Sequence, residues 1–262
     1  MSLLRSRDNP RVRRWHALAH DGRSRRAERS ALIEGAHLLA AYLDSGARPK
    51  AVLVSASGQA NAEIAALARR AGPAPVTLPD PVFRWVADAV TPAGLAAEIE
   101  LPPAAPVAQA THAVFLDGVQ DAGNVGAILR SAAAFGVDTA VLGRGCADPW
   151  SPKVLRAAMG GHFALGITVV DELAGALAQF PGTRVCASAA GGDAPATLDL
   201  TASIGWILGA EGQGVSPAAA AQASHRVSIP LAPDVESLNV AAAAAILLYE
   251  RARQLSTSGA RA

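Results

Sequence analysis

Three stretches of the sequence put polar side chains where an apolar chain has no need of them. The first, "LDGVQDAGNVGAILRSAAAFG" over 116–136, reads as a strand, a glycine-containing turn and a helix. Arg130 is the only charge between Asp121 and Asp138. An unpaired charge among apolar groups is unfavourable, so its guanidinium must snorkel, pair or point into a polar pocket. A salt bridge to Asp117 or Asp121 would be a structural use of it, and contact with a ligand a chemical one. The second stretch, "ILGAEGQGVS" over 207–216, delivers Gly209, Glu211, Gly212 and Gly214 from an apolar strand into a loop. Glycines permit close backbone approach, and Glu211 could bind a ligand or clamp another loop. The third, "IPLAPDVESLNVAAAAAILLYE" over 229–250, turns into a long helix. Ser237 is expected to be its N-cap, with Asn239 in the first turn. Val240–Leu248 carries no charge, so the helix is expected to be buried on every face. A ligand would sit at its start, beside free backbone donors and the positive end of the helix dipole.

These stretches need a scaffold, and residues 111–262 supply one. Strands are expected at "THAVFLD", "DTAVLG", "HFALGITVV", "TRVCASA", "SIGWILG" and "HRVSIPL". Helices are expected at Asn124–Phe135, Pro152–Met159, Glu172–Gln179, Pro217–Gln222 and the C-terminus. Alternating helices and near-continuous apolar strands imply a parallel sheet covered on both faces. Residues 1–100 read as a separate, smaller α/β domain. Its first helix begins after Asn9-Pro10, with proline suited to the first turn. Val12, Trp15, Leu18 and Ala19 follow a 3–4 spacing and face a core. "LPPAAPVAQA" over 101–110 is uncharged and rich in proline and alanine, and reads as the linker.

Composition narrows the function. The net charge is only +1, but residues 1–50 hold 11 Lys+Arg against 5 Asp+Glu. Arginines dominate this excess, and their forks match phosphate oxygens. Such asymmetry favours a polyanionic partner, nucleic acid first. Cys146 and Cys186 form no CxxC pair and no HExxH motif occurs, so no metal is expected. No stretch has the length and apolarity of a membrane span, and the opening residues lack a secretory apolar region. A cytoplasmic protein is expected. "GRGCAD" at 143–148 lacks the third glycine of a dinucleotide fingerprint, and no P-loop lysine motif occurs.

In order and spacing, "NVGAILR" (124–130), "GAEGQG" (209–214) and "IPL…VESLNVAAAAAILLYE" resemble the three motifs of the SpoU-type (TrmH-like) RNA 2′-O-ribose methyltransferases of the SPOUT superfamily. The resemblance covers roughly residues 111–253. The looser "NPRV…L…EG…LL" pattern of the N-terminal half is similar to the substrate-binding domain that precedes many of these enzymes. The resemblance implies an α/β SPOUT domain with a deep trefoil knot, preceded by a small α/β RNA-binding domain. It also implies a homodimer, and S-adenosylmethionine bound near Gly209, Ile229 and Leu238. Arg130 would be the main catalytic residue, supported by Asn124, Glu211, Ser237 and Asn239. The substrate would be ribosomal RNA rather than transfer RNA, because the extra basic domain resembles those of rRNA-directed members. The rival reading is a non-catalytic RNA-binding or assembly protein on the same scaffold, and loss of the motif residues would mark it. One departure is visible. Where the family often has serine in an "R-A-S-x-G" stretch, this chain reads Arg156-Ala157-Ala158-Met159-Gly160.

Overall fold

Asn9 opens helix α1 (Pro10–His20) by accepting a hydrogen bond from the Arg11 N–H at 3.0 Å, which satisfies a first-turn donor. The expected Val12, Trp15, Leu18 and Ala19 are its buried residues. Asp21 ends α1 and caps α2 (Gly22–Glu28), accepting from the backbone of Arg23 and Ser24. These elements belong to a computed structural model that describes residues 2–259. The chain forms two compact units, Met1–Pro102 with Asp148–Phe163, and Pro103–Ala147 with Ala164–Ala262.

In the first unit the strands are β1 (Ser2–Leu3), β2 (Ser30–Glu34), β3 (Ala51–Ser55), β4 (Val76–Leu78) and β5 (Leu95–Glu100). They form a sheet in the order β1-β4-β3-β5-β2, in which β5 runs antiparallel to β2 and β3. Helices α3 (Ala36–Asp44), α4 (Ala62–Ala71) and α5 (Asp80–Val86) complete the α/β pattern. One core gathers Trp15 and Leu18 of α1, Leu32, Leu53 and Leu78 of the sheet, and Phe83 and Val86 of α5. Glu98 is buried within β5, where an unpaired carboxylate would be very unfavourable. Arg14 donates to both its oxygens, at 2.8 and 2.9 Å, and the Trp15 indole N–H donates at 2.8 Å. Burial pushes the Glu98 carboxyl up, but these bonds outweigh it and hold the group below the usual carboxylate value.

The segment Asp148–Phe163, which follows the linker in sequence, groups with this first unit. It contains the helix Pro152–Ala158. Arg25, only 5% exposed, donates to Asp148 at 2.7 and 2.9 Å and to the carbonyls of Leu18 and Ala19. Arg156 bonds Asp88 at 2.6 Å. His162 is buried and bonds the Pro149 carbonyl, and burial pushes its pKa down to about 4.

The second unit holds β6 (His112–Asp117), β7 (Thr139–Leu142), β8 (Gly166–Val169), β9 (Thr183–Ala187), β10 (Ile204–Gly209) and β11 (His225–Val227). They form a parallel sheet in the order β11-β9-β10-β6-β7-β8. With Pro152–Ala158 as α7, its helices are α6 (Ala122–Ala134), α8 (Leu173–Gln179), α9 (Pro217–Ala220) and α10 (Val240–Gly259). Leu173, Ala176 and Leu177 of α8 share a core with Phe115, Val141 and Ile207 of the strands. Helix α10 packs on α6 and β10.

Four expectations are corrected here. The strand expected over "HFALGITVV" is a 3-10 turn at Gly161–Ala164, followed by the shorter β8. The strand expected over "HRVSIPL" stops at Val227, because the Ser228 N–H bonds Asp193 and Pro230 has no N–H to offer. Asn239, not Ser237, caps α10, its Oδ1 accepting from Ala241 at 2.9 Å and Ala242 at 3.3 Å. The long apolar helix is not buried on every face, since Ile246 and Tyr249 are 42% and 56% exposed.

Candidate active site

Strands β6 and β10 lie side by side and end in register, Gly209 opposite Asp117. The segments that follow them therefore start from neighbouring points at the carboxyl edge of the sheet, the usual place for a ligand in an open parallel sheet. After β10 the chain doubles back on itself. The Gly214 N–H bonds the Ala210 carbonyl at 2.8 Å, with Gly212 and Gly214 at φ +87° and +69°. A Cβ on Gly209 would lie 2.1 Å from the Gly214 carbonyl carbon, so the loop closes only over a glycine. Asp117 anchors its far end, accepting from the Ser216 N–H at 2.7 Å.

After β6, Asp121 caps α6 by accepting from the Asn124 N–H at 2.8 Å. The helix thus starts two residues earlier than the expected Asn124, which stands in its first turn. The Asn124 side-chain amide donates to the Glu211 carboxylate. Its oxygen accepts from the Asn239 side chain at 3.0 Å. Asn239 in turn caps α10. One chain of hydrogen bonds, Glu211–Asn124–Asn239–α10, therefore joins three motifs that are far apart in sequence. Each asparagine is fixed at both its oxygen and its nitrogen, which sets the direction of both amides.

Beside this chain lies a cavity of about 770 Å³, within the usual range for small-molecule sites. Gly209, Ile229 and Leu238, expected to hold the cofactor, line it, as do Glu211, Ser237 and Asn239. Asn124 reaches it through Glu211 and Asn239. Arg130 does not line it. The Arg130 side chain is exposed on α6 and makes no ion pair or hydrogen bond among the described residues. Neither structural partner considered for it takes that role, and Asp117 is engaged with Ser216 instead.

Sequence reasoning missed one wall of the cavity, Cys186 to Ala190 after β9, together with Arg226, Leu231 and Glu236. The available signal was "AAGGD", two glycines after a strand. Gly192 has φ +137°, and a Cβ there would lie 2.7 Å from the Arg226 carbonyl oxygen. Burial pushes the Cys186 thiol up, so it lines the cavity as a protonated, weakly polar group. Among the described residues no group of three or more His, Cys, Asp or Glu is placed to hold a metal ion. No described helix is long and apolar enough to cross a membrane. The cavity offers backbone groups from three loops, one carboxylate held by an amide, and walls mixed in polarity.

Comparison with known proteins agrees with this geometry. Residues 111–249 match the model of the SpoU rRNA Methylase family, and residues 9–97 match an MRM3-like substrate binding domain. The chain is 34% identical to the 23S rRNA (guanosine(2553)-2′-O)-methyltransferase RlmP of Bacillus subtilis, over 95% of this chain and 98% of that one. It is 31% identical to the mitochondrial rRNA methyltransferase 3A of Danio rerio, over 94% of this chain and 68% of that one. A crystal structure of an AdoMet-bound rRNA methyltransferase from Sinorhizobium meliloti superposes with a TM-score of 0.83 at 27% identity, covering 97% of this chain and 98% of that one. The matched motifs, their convergence on one cavity and the full-length relatives lead to one assignment: the chain belongs to the SpoU rRNA methylase family.

Proposed function

We propose that the protein transfers a methyl group from S-adenosylmethionine to a ribose 2′-hydroxyl of ribosomal RNA. The observation that carries this reading is the Glu211–Asn124–Asn239 hydrogen-bond chain beside the cavity. The cofactor's sulfonium supplies an already activated methyl group, so the protein's task is alignment and proton handling. Gly209, Ile229 and Leu238 hold the cofactor, and the Gly209 site fits because only a glycine leaves the loop room to close. Glu211, Asn124, Ser237 and Asn239 orient the ribose. Arg130 clamps the phosphate beside the target ribose. It is exposed and paired with no carboxylate among the described residues, and the planar fork of a guanidinium matches phosphate oxygens.

The working form is a homodimer. Ile246 and Tyr249 of α10 leave an apolar face open, and Arg130 and Ala134 are exposed on the neighbouring α6. A second copy on this face would bury it and bring a guanidinium close to a cavity. Sedimentation of wild type and Ile246→Glu tests this, with a dimer and a monomer as the expected results. The segments that wall the cavity, 187–193, 209–216 and 228–239, form the deep trefoil knot that the family resemblance implies. Two unpaired cysteines suit work in the reducing cytoplasm.

Unmodified ribosomal RNA incubated with the protein and methyl-labelled cofactor gives the direct test. The expected product is a ribose that resists alkaline cleavage on its 3′ side. Label on a base, or no label with folded and cofactor-bound protein, overturns the reading.

A further inference from the structure

The basic residues of the first unit do not act alike. Arg14 and Arg25 are committed to internal carboxylates. Arg5, Arg11, Arg13 and Arg84 are exposed and make no ion pair among the described residues. Beside these free cations stands a column of rings. His16 of α1 lies parallel to Trp85 of α5, with 3.8 Å between ring centroids and 4° between planes. The His16 Nδ1–H donates to the Trp85 backbone carbonyl at 2.7 Å, which fixes the imidazole in that plane. His20, one turn further along α1, continues the column at 4.3 Å. Arg7 places its guanidinium carbon 5.8 Å from the Trp85 centroid, near the outer limit of about 6 Å for a cation–π contact.

Core packing accounts for only part of Trp85, which packs against the core of the first unit but is not enclosed by it. Val82, Phe83 and Val86 already fill the inward face of α5, and Trp85 sits half-buried at the rim. Of the nearby carboxylates, Asp88 bonds Arg156 at 2.6 Å and stands 3.8 Å from His20 Nδ1, and Glu34 is held by the Asp88 and Ala89 N–H groups. What remains is an aromatic surface edged by unpaired arginines. That combination suits a base whose face stacks on a ring while its phosphates meet guanidinium groups.

We propose that the Trp85–His16–His20 column is a stacking platform for an unpaired base of single-stranded RNA, with Arg7 closing over the base and the free arginines of α1 holding the adjoining phosphates. The proposal rests on the reading of the protein as an RNA methyltransferase and names the structural class of RNA it grips: a loop or bulge, not a continuous duplex.

The full-length protein titrated with a short single-stranded oligoadenylate tests it. Trp15, Trp150 and Trp206 are 1%, 8% and 0% exposed, so fluorescence quenching by a stacked base reports chiefly on Trp85. Wild type is expected to bind with quenching, and to bind an abasic oligomer or a duplex of equal length more weakly. Trp85→Leu should weaken binding about 5- to 150-fold, equivalent to ~1–3 kcal/mol, and abolish the quench, while Trp85→Phe keeps most of the affinity. If Trp85→Leu melts early, the exposed-side variants Arg7→Gln and His20→Ala carry the test, each with an expected loss of about 3-fold or more. Binding unchanged in the folded variants overturns the platform, as does equal affinity for duplex or no binding by wild type. Methyl incorporation into ribosomal RNA is scored separately. Full methylation without dependence on Trp85 removes the platform and leaves the enzyme standing.

Discussion

Glutamate and arginine occur in both units, and the two units use them in opposite ways. In the first, Glu98 is buried and takes two hydrogen bonds from Arg14 and one from Trp15. Both charges are consumed in holding α1 to the sheet. In the second, Glu211 is held only by the neutral amide of Asn124, and Arg130 has no partner among the described residues. The charges there are positioned but not neutralised. A carboxylate fixed by an amide keeps its field for a ligand, whereas one fixed by a guanidinium has already spent it. The difference separates structural from functional charge without reference to any motif.

Removing one charge from each unit is the sharpest way to break this contrast. Arg130→Ala should lower the single-turnover methylation rate by about 10²–10³, the range for losing one positioned donor to a charged oxygen, with thermal melting and cofactor affinity unchanged. A rate within threefold of wild type would remove Arg130 from the reaction. The opposite pattern is expected for Glu98→Ala. It leaves Arg14 and the Trp15 N–H without their acceptor and should destabilise the protein by about 2–4 kcal/mol, somewhat below the full cost of breaking a buried pair because Arg14 is partly exposed. Cofactor binding by the remaining folded protein should be normal in calorimetry.

Acid sharpens the contrast less steeply. His162 in the first unit and His112 in the second are both buried, with pKa values pushed down to about 4 from 6.5. The unfolded chain therefore binds more protons than the native one between these values, and stability falls as pH drops from about 6.5 towards 4. Glu98 adds to the loss further down, because its folded pKa lies below its unfolded one and its contribution vanishes as it is protonated. Denaturant midpoints at pH 7 and pH 5 should show the decline, and a flat profile would mean that these histidines are protonated in the fold. The smallest effect is expected at the α10 cap. Asn239→Ala loses both a cap and the bond to Asn124, and should lower stability by about 1 kcal/mol, more than Ser237→Ala does. Equal melting of the two variants would return the cap to Ser237.

Much of this was legible in the sequence because local rules govern it. Proline after asparagine, a 3–4 spacing of Val12, Trp15, Leu18 and Ala19, and continuous apolar strands depend on near neighbours. The site was legible in part for another reason: glycines at 209, 212 and 214 answer a steric demand that the alphabet records directly. What was not legible depended on distant partners. Arg130 reads as the odd charge of an apolar helix, yet nothing local reveals that its side chain stands outside the cavity of its own chain. Asn239 outcompetes Ser237 as a cap because Asn124, over a hundred residues away, fixes its amide. The wall at Cys186–Ala190 carries no charge, and beyond the two glycines that follow it nothing marks it until β9 takes its place beside β10.

The segment Asp148–Phe163 has a bearing on how such a protein can be inherited. Arg25 and Asp148, which complete one another in the first unit, are encoded far apart, with the start of the other unit between them. A gene fusion at the linker would join a front unit missing Asp148 to a back unit carrying Val154, Leu155 and Ala158 without the neighbours that cover them. The two halves of the coding sequence are therefore not free cassettes. Recombination at residues 101–110 would succeed only between parents whose Arg25 and Asp148 positions already match, and drift at either position constrains the other.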